Sequence, residues 1–164
     1  MVSWYHWHTE PLLLGGTLLI AWLYALAVGP FRDRWFSTED CRAPAFPGPE
    51  ALSFGVGMAV FYLTVGSPLD ALGEGFLFSA HMVQHNLLMY VIPPLLIAGI
   101  PGWMIDTLLR GRSALRKGFR GFVSPWVAGV LFTFTFCVWH VPVLYEAALR
   151  DKGIHIFEHL TMLA

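Results

Sequence analysis

The amino-acid sequence predicts an all-α protein, a polytopic membrane helix bundle with four full transmembrane helices and the start of a fifth. Hydrophobic residues make up 56% of the 164 residues and charged residues only 13%, whereas a soluble domain carries roughly 25% charge. Several stretches without charge approach the length of about 20 apolar residues that a bilayer-spanning helix needs. The apolar side chains are therefore expected to face lipid, which excludes most water-soluble folds.

The four full spans are predicted by stretches that contain no Asp, Glu, Lys or Arg, at residues 11–29, 51–66, 76–100 and 122–145. In the third span, Pro93 and Pro94 remove two backbone donors and predict a kink. A fifth helix opens at Ile154, but the roughly 11 residues that remain are too few to cross a bilayer. We therefore expect residues 1–164 to form a single membrane domain that is the N-terminal part of a longer fold.

The basic residues predict the orientation of these spans. Eight of the ten lie in two loops on one side of the membrane: Arg32, Arg34, Arg42, Arg110, Arg112, Arg116, Lys117 and Arg120. Only Arg150 and Lys152 lie on the other side, so the positive-inside rule places both basic loops in the cytoplasm and the N-terminus outside. The net charge of -1 gives no field that would attract nucleic acid, so no nucleic-acid partner is expected.

Five of the seven histidines fall within predicted spans: His81, His85, His140, His155 and His159. Ionisable groups inside a membrane are costly, which makes each of them a candidate functional residue. Two pairs are spaced four residues apart, so the members of each pair share one helix face. At 1.5 Å per residue, all five lie within about 15 Å of the outer face. Three segments therefore bring histidines to overlapping depths on one side of the membrane.

Neutral imidazole is the commonest metal ligand, and Cu(I) also accepts thioether and thiolate sulfur. The predicted ligand set combines the five histidines with three neighbouring sulfur side chains, Met82, Met89 and Cys137, and copper is the expected cofactor. Three alternatives stay open at this point. The histidines could only hydrogen-bond between helices, they could ligate a b-type haem, or three of them could hold zinc in a metallohydrolase with Asp70 or Glu158 as general base. Apart from that alternative, Asp70 and Glu74 are expected to be solvated in an outer loop.

Two long runs carry a family resemblance. SPLDALGE from Ser67, continued by FSAHMVQHNLLMYVIPPLLIAGIP from Phe78, and WHVPVLYEAALRDKGIHIFEHLTML from Trp139 resemble the bacterial cytochrome c oxidase assembly factor family CtaG, the polytopic branch linked to caa-type oxidases. The resemblance implies a multi-pass, non-enzymatic protein of the bacterial plasma membrane that helps to mature a haem–copper oxidase by handling copper. Its implied partners are the lipid bilayer and subunits of cytochrome c oxidase. The five histidines selected by depth all lie in the two matching runs.

The orientation can be tested by cysteine labelling in cells, in a variant without Cys41 and Cys137. A membrane-impermeant maleimide added from outside should label a cysteine placed at Ser3 but not one placed at Ser113, because the first is predicted to lie outside and the second in a basic cytoplasmic loop. Labelling of Ser113→Cys alone would reverse the orientation and the depth argument with it.

Overall fold

The computed structural model describes residues 11–36, 45–75, 77–122 and 124–163, and within these residues the chain forms helices and turns with no β-strand. The predicted all-α class is therefore confirmed. Residues 1–10 and Arg42, on which part of the predicted orientation depends, lie outside the described residues. The chain divides into two compact units, Met1–Thr107 and Leu108–Ala164.

Helical segments follow one another closely in both units. In the first unit they are α1 (Pro11–Val28), α2 (Arg32–Phe36), α3 (Gly48–Gly66), α4 (Pro68–Gly75), α5 (Phe78–Asn86), a π-helical turn (Leu87–Val91), α6 (Ile92–Ala98) and α7 (Gly102–Leu108), whose last residue begins the second unit. In the second unit they are α8 (Ser113–Phe122), α9 (Pro125–Trp139), α10 (Pro142–Arg150) and α11 (Lys152–Leu163).

Two helices, α1 and α3, are each long and apolar enough to cross a membrane. Two further spans exist only if a bent pair of helices counts as one span. The path from α5 to α6 bends by 82° into α7, and α9 bends by 71° into α10. The expectation of four full transmembrane helices is therefore reduced to two, or up to four with the bent pairs. Many large apolar side chains on these helices are exposed, such as Leu18, Trp22, Val130 and Phe134, as expected of helices that face lipid.

The fourth predicted span is interrupted because of a proline. Pro142 has no backbone N–H and disfavours a helical conformation at the residue before it. Val141 is accordingly extended, with φ -67° and ψ 129°, and α9 ends at Trp139 after 15 residues. A helix of that length covers about 22 Å, less than the roughly 30 Å of hydrocarbon in a typical bilayer. The predicted continuous helix through residue 145 was therefore wrong.

The prolines of the third predicted span have a different effect. The helical path continues past Pro93 and Pro94, and the expected distortion takes the form of the π-helical turn that precedes them. In this turn the N–H of Ile92 donates to the carbonyl of Leu87, five residues earlier. Such wide turns insert one extra residue into a helix and are frequent at functional sites. The turn follows directly on α5, which carries two of the candidate histidines.

Helices α1, α3 and α6 pack together in the first unit. The ring of Tyr24 stacks on that of Phe54 with 3.8 Å between centroids, and the Tyr24 hydroxyl donates a hydrogen bond of 2.6 Å to the carbonyl of Gly99. The Ser53 hydroxyl donates to the carbonyl of Leu95 at 2.8 Å. The two hydrogen bonds connect side chains of α1 and α3 to the backbone of α6 and of Gly99 directly after it, so they fix the position of α6 against its neighbours.

A substitution at Gly99 can test how closely α3 approaches the end of α6. A Cβ at Gly99 would lie 2.6 Å from Cβ of Phe54 and 2.7 Å from its Cα and N, and backbone atoms cannot move aside by changing rotamer. Gly99→Ala should therefore lower the free energy of unfolding by about 1–3 kcal/mol, seen as a lower Tm by circular dichroism in detergent. The matched control is Gly55→Ala in α3, where a Cβ meets nothing within 4 Å. That variant should be neutral or more stable, and equal Tm values for the two variants would contradict the close approach.

Candidate metal centre

Helix α5 places a histidine pair in the interior of the first unit. His81 and His85 are each 2% exposed, and their ring centroids are 4.1 Å apart. Two nitrogen atoms that each lie about 2 Å from one metal ion are about 3–4 Å apart. The pairing expected from the four-residue spacing is present, and its ring separation is compatible with a shared ion.

The buried face of α5 is mostly polar. Ala80, His81, Gln84 and His85 are buried, and these positions form one stripe along a helix because they recur at intervals of three to four residues. Apolar residues of the same helix, such as Val83, are exposed. The helix therefore turns its polar side chains inward and apolar ones outward, the arrangement expected of a polar site within a membrane protein.

Asp70 differs from its predicted environment. We expected it in a solvated outer loop, but residues 68–75 form α4 and Asp70 is only 7% exposed. The Gln84 amide donates a hydrogen bond to the Asp70 carboxylate, which offsets part of the cost of burying a charge. The helix begins at Pro68, whose fixed φ suits a first helical position. The expectation of a solvated loop was therefore wrong for Asp70; the side chain of Glu74 lies outside the described part of the chain.

The two methionines of the predicted ligand set, Met82 and Met89, are half-buried. The shared face predicted for His85 and Met89 assumed a regular α-helix, but Met89 lies within the π-helical turn, which changes the angular spacing after α5. Asn86 is exposed, and its amide donates to the carbonyl of Met82 at 2.8 Å. Copper ligation by either methionine stays a prediction.

A second histidine pair lies on α11 in the second unit. His155 and His159 are buried, with 4.2 Å between their ring centroids. Glu158, which is 1% exposed, and Met162 are buried on the same helix. The carboxylate of Glu158 interacts electrostatically with His155 and with His140. The second unit therefore contains a buried group of His155, Glu158 and His159 on one helix, and the half-buried His140 is close enough to act on the Glu158 carboxylate.

His140 caps the end of α9. Its Nδ1 lies 2.7 Å from the carbonyl oxygen of Phe136, and the two rings stack with 4.0 Å between centroids. A carbonyl oxygen can only accept, so Nδ1 carries the hydrogen. A neutral ring in this tautomer has its lone pair on Nε2, which is the arrangement that carbonyl partners impose on metal-binding histidines.

Cys137 is exposed, whereas the other predicted ligands are buried or half-buried. Trp139 on the same helix is buried. The exposure of Cys137 puts the sulfur on an outward face of α9. The neighbouring positions predicted for Cys137 and His140 from their spacing of three residues, and the part of Cys137 in metal binding, stay predictions.

Trp139 connects α9 to the histidine-bearing helix of its unit. Its indole N–H donates to the hydroxyl of Thr161 at 2.7 Å, and Thr161 donates in turn to the carbonyl of Glu158 at 2.9 Å. The Trp139 ring also meets Phe157 edge to face, with 6.0 Å between centroids. These contacts hold α11 in one rotational position against α9.

Gln84 was not predicted as a functional residue, because it carries no ionisable group that would mark it as costly within a span. A buried neutral amide also needs hydrogen-bond partners, and its position between two histidines in an apolar stretch was the available signal. The pairing of Trp139 and Thr161 was not predicted either, because the two residues lie on separate helices and no sequence spacing reveals such a contact.

These features define a class: a helical protein with apolar, membrane-type helices and polar clusters of histidine and carboxylate in its interior. A family model described as cytochrome c oxidase caa3 assembly factor (Caa3_CtaG) matches residues 22–164. The chain belongs to this family, as its two long motif runs predicted. Neither a curated protein nor a solved structure gave a significant match. The family's function is the assembly of cytochrome c oxidase, and this function implies association with that oxidase.

The connection between α9 and α11 can be measured with a double-mutant cycle. Trp139→Phe and Thr161→Val each remove one partner of the hydrogen bond; the first leaves a smaller aromatic ring and the second a side chain of nearly the same shape. Unfolding of the single and double variants in detergent should give a coupling energy of about 0.5–2 kcal/mol, as for interhelical hydrogen bonds in other membrane proteins. Additive effects within about 0.3 kcal/mol would show that the bond contributes nothing.

Proposed function

We propose that this chain is a non-enzymatic assembly factor for a haem–copper cytochrome c oxidase, and that it binds or delivers Cu(I) through its buried histidines. The observation that carries the proposal is the buried His81–His85 pair with its 4.1 Å ring separation. Burying two imidazoles in an apolar helix bundle costs free energy, so such residues commonly have a functional role or hydrogen-bond partners. The family's role in oxidase assembly supplies a task that involves a copper enzyme.

The choice of copper rests on ligand chemistry. Cu(I) accepts imidazole together with thioether sulfur, and the half-buried Met82 and Met89 lie on the same helical path as the histidine pair. The second cluster, with His155 and His159, offers the same type of nitrogen ligand. The site of each cluster is proposed near the outer face of the bacterial plasma membrane, with the N-terminus outside, because the basic loops are predicted to lie in the cytoplasm.

The metallohydrolase alternative also has one supporting observation. Glu158 is a buried carboxylate that interacts electrostatically with two histidines, and zinc hydrolases use a carboxylate to activate the bound water. The copper proposal is preferred because assembly of a copper enzyme needs a carrier rather than a hydrolase. The two functions differ in their ligands: only the carrier depends on soft sulfur side chains.

The central test measures Cu(I) binding by the full chain in detergent, under reducing conditions, by competition with a chromophoric chelator. His81→Ala combined with His85→Ala should abolish binding or weaken it by at least about tenfold, because both proposed ligands leave one helix face. His6→Ala combined with His8→Ala is the matched control, since these histidines precede the first predicted span, and it should bind as the wild type does. Equal binding by the two double variants would contradict the proposal.

The same preparations separate the alternatives. Met82→Leu with Met89→Leu and Cys137→Ala should weaken Cu(I) binding and leave the helical content intact, whereas a zinc hydrolase would be insensitive to them and would lose turnover on Glu158→Gln. A Soret band in purified protein would favour haem. In cells, His81→Ala should lower oxidase activity, and added copper should restore part of it. Normal oxidase activity of this variant under copper limitation would count against a carrier.

A further inference from the structure

Gln84 is a fully buried amide that the metal proposal does not use. It is 0% exposed and lies on α5 three residues after His81 and directly before His85. A buried polar side chain in an apolar bundle is costly unless its hydrogen-bonding groups are satisfied. The two hydrogens of its amide both have acceptors, and these acceptors belong to two different helices.

The first acceptor is the carbonyl of Thr64, in the last turn of α3, at 3.1 Å from Nε2 of Gln84. In a continuing helix this carbonyl would accept the N–H of the residue four positions later. That residue is Pro68, which has no N–H. The side chain of Gln84 thus takes the place of a backbone donor that the proline removes, and it attaches α5 to the end of α3.

The second acceptor is the carboxylate of Asp70 on α4. The same helix approaches α5 closely at Gly73, where a Cβ would lie 2.9 Å from Oε1 of Gln84 and 3.2 Å from Cα of His81. A Cβ at this position would require Gln84 to shift and the backbone of α5 to give by a few tenths of an ångström. Helix α5 is therefore held both by hydrogen bonds and by backbone packing on the side that carries the histidines.

Fixing Gln84 also fixes the histidines. Residues three apart on a helix lie within roughly 60° of each other around the axis, and adjacent residues lie about 100° apart. A rotation of α5 that displaced His81 and His85 by more than a few ångströms would break both hydrogen bonds of Gln84. Breaking both bonds would take a hydrogen-bond donor away from two buried groups, since Thr64 is 1% and Asp70 7% exposed.

From these contacts we infer that Gln84 and Asp70 are positioning residues for the His81–His85 pair: the hydrogen-bonded bridge from Thr64 through Gln84 to Asp70 sets the rotation of α5 at which the two imidazoles meet one Cu(I) ion. The inference rests on the proposed function and adds the residues that orient its ligands. Groups that orient the ligands of a metal typically change its affinity by about 10- to 100-fold when they are removed.

The experiment compares Cu(I) affinity and Tm of the apo protein for four variants of the full chain in detergent. Gln84→Leu and Asp70→Leu remove the bridge and should weaken Cu(I) binding about 10- to 100-fold, while saturating copper still loads the protein to the wild-type stoichiometry because the imidazoles remain. Asp70→Asn keeps an acceptor for the Gln84 amide and should stay within about threefold of the wild type. Asp70→Leu provides the test if Gln84→Leu does not fold, since it leaves the bond to the Thr64 carbonyl in place.

Ser53→Ala is the matched control for stability. It removes an interhelical hydrogen bond to the carbonyl of Leu95 in the same unit, so it should lower Tm but leave Cu(I) affinity unchanged. If Ser53→Ala weakens copper binding as much as Gln84→Leu, or if Asp70→Asn loses as much affinity as Asp70→Leu, positioning by the bridge is overturned. If the wild type binds no Cu(I), the proposed function itself fails; if it binds and Gln84→Leu binds equally well, only the positioning role fails.

Discussion

The carbonyl of Thr64, near the end of α3, loses its regular helical donor to a proline and accepts a side-chain hydrogen bond in the polar interior of the first unit. Pro68 cannot donate to the carbonyl of Thr64, and in an apolar bundle no water is at hand to replace the missing hydrogen bond. The amide of Gln84 supplies it and uses its second hydrogen on Asp70. One proline therefore explains why a neutral amide lies in the interior of a unit whose outer surface is largely apolar, next to a carboxylate and two histidines.

The missing backbone N–H of proline also explains where other helices end and how they deform. Pro142 ends α9 too early for a straight span and bends the chain by 71°, whereas Pro93 and Pro94 are absorbed by a π-helical turn without ending the helical path. The difference lies in the preceding backbone. Ile92 keeps a hydrogen bond to the carbonyl of Leu87, while Val141 is extended. A hydropathy window does not distinguish these two proline sites, because it sums side-chain hydrophobicity and contains no information on backbone hydrogen bonds.

Features that depend on local residue spacing could be predicted from the sequence, and features that depend on backbone hydrogen bonds and helix ends could not. The all-α class, the family and the inward face of each four-residue histidine pair followed from composition, motifs and helical periodicity, since these depend on local spacing. The placement of Asp70 did not follow, because a short helix buries this side chain where a loop was predicted. The exposure of Cys137 did not follow either, because helical periodicity shows which residues share a face but not which face turns inward. Gln84 and Thr64 meet across 20 residues of sequence, and no periodicity reports such a contact.

The end of α9 also has a carbonyl that accepts from a side chain. The carbonyl of Phe136 accepts the backbone N–H of His140 at 3.3 Å, and Nδ1 of the same histidine donates to it as well. In a neutral ring this bond puts the hydrogen on Nδ1 and leaves Nε2 as the nitrogen that can bind a metal. In both units, a polar side chain in or beside a candidate cluster donates to a carbonyl in the last turn of a helix that a proline follows. The orientation of these side chains therefore depends on where the helix ends.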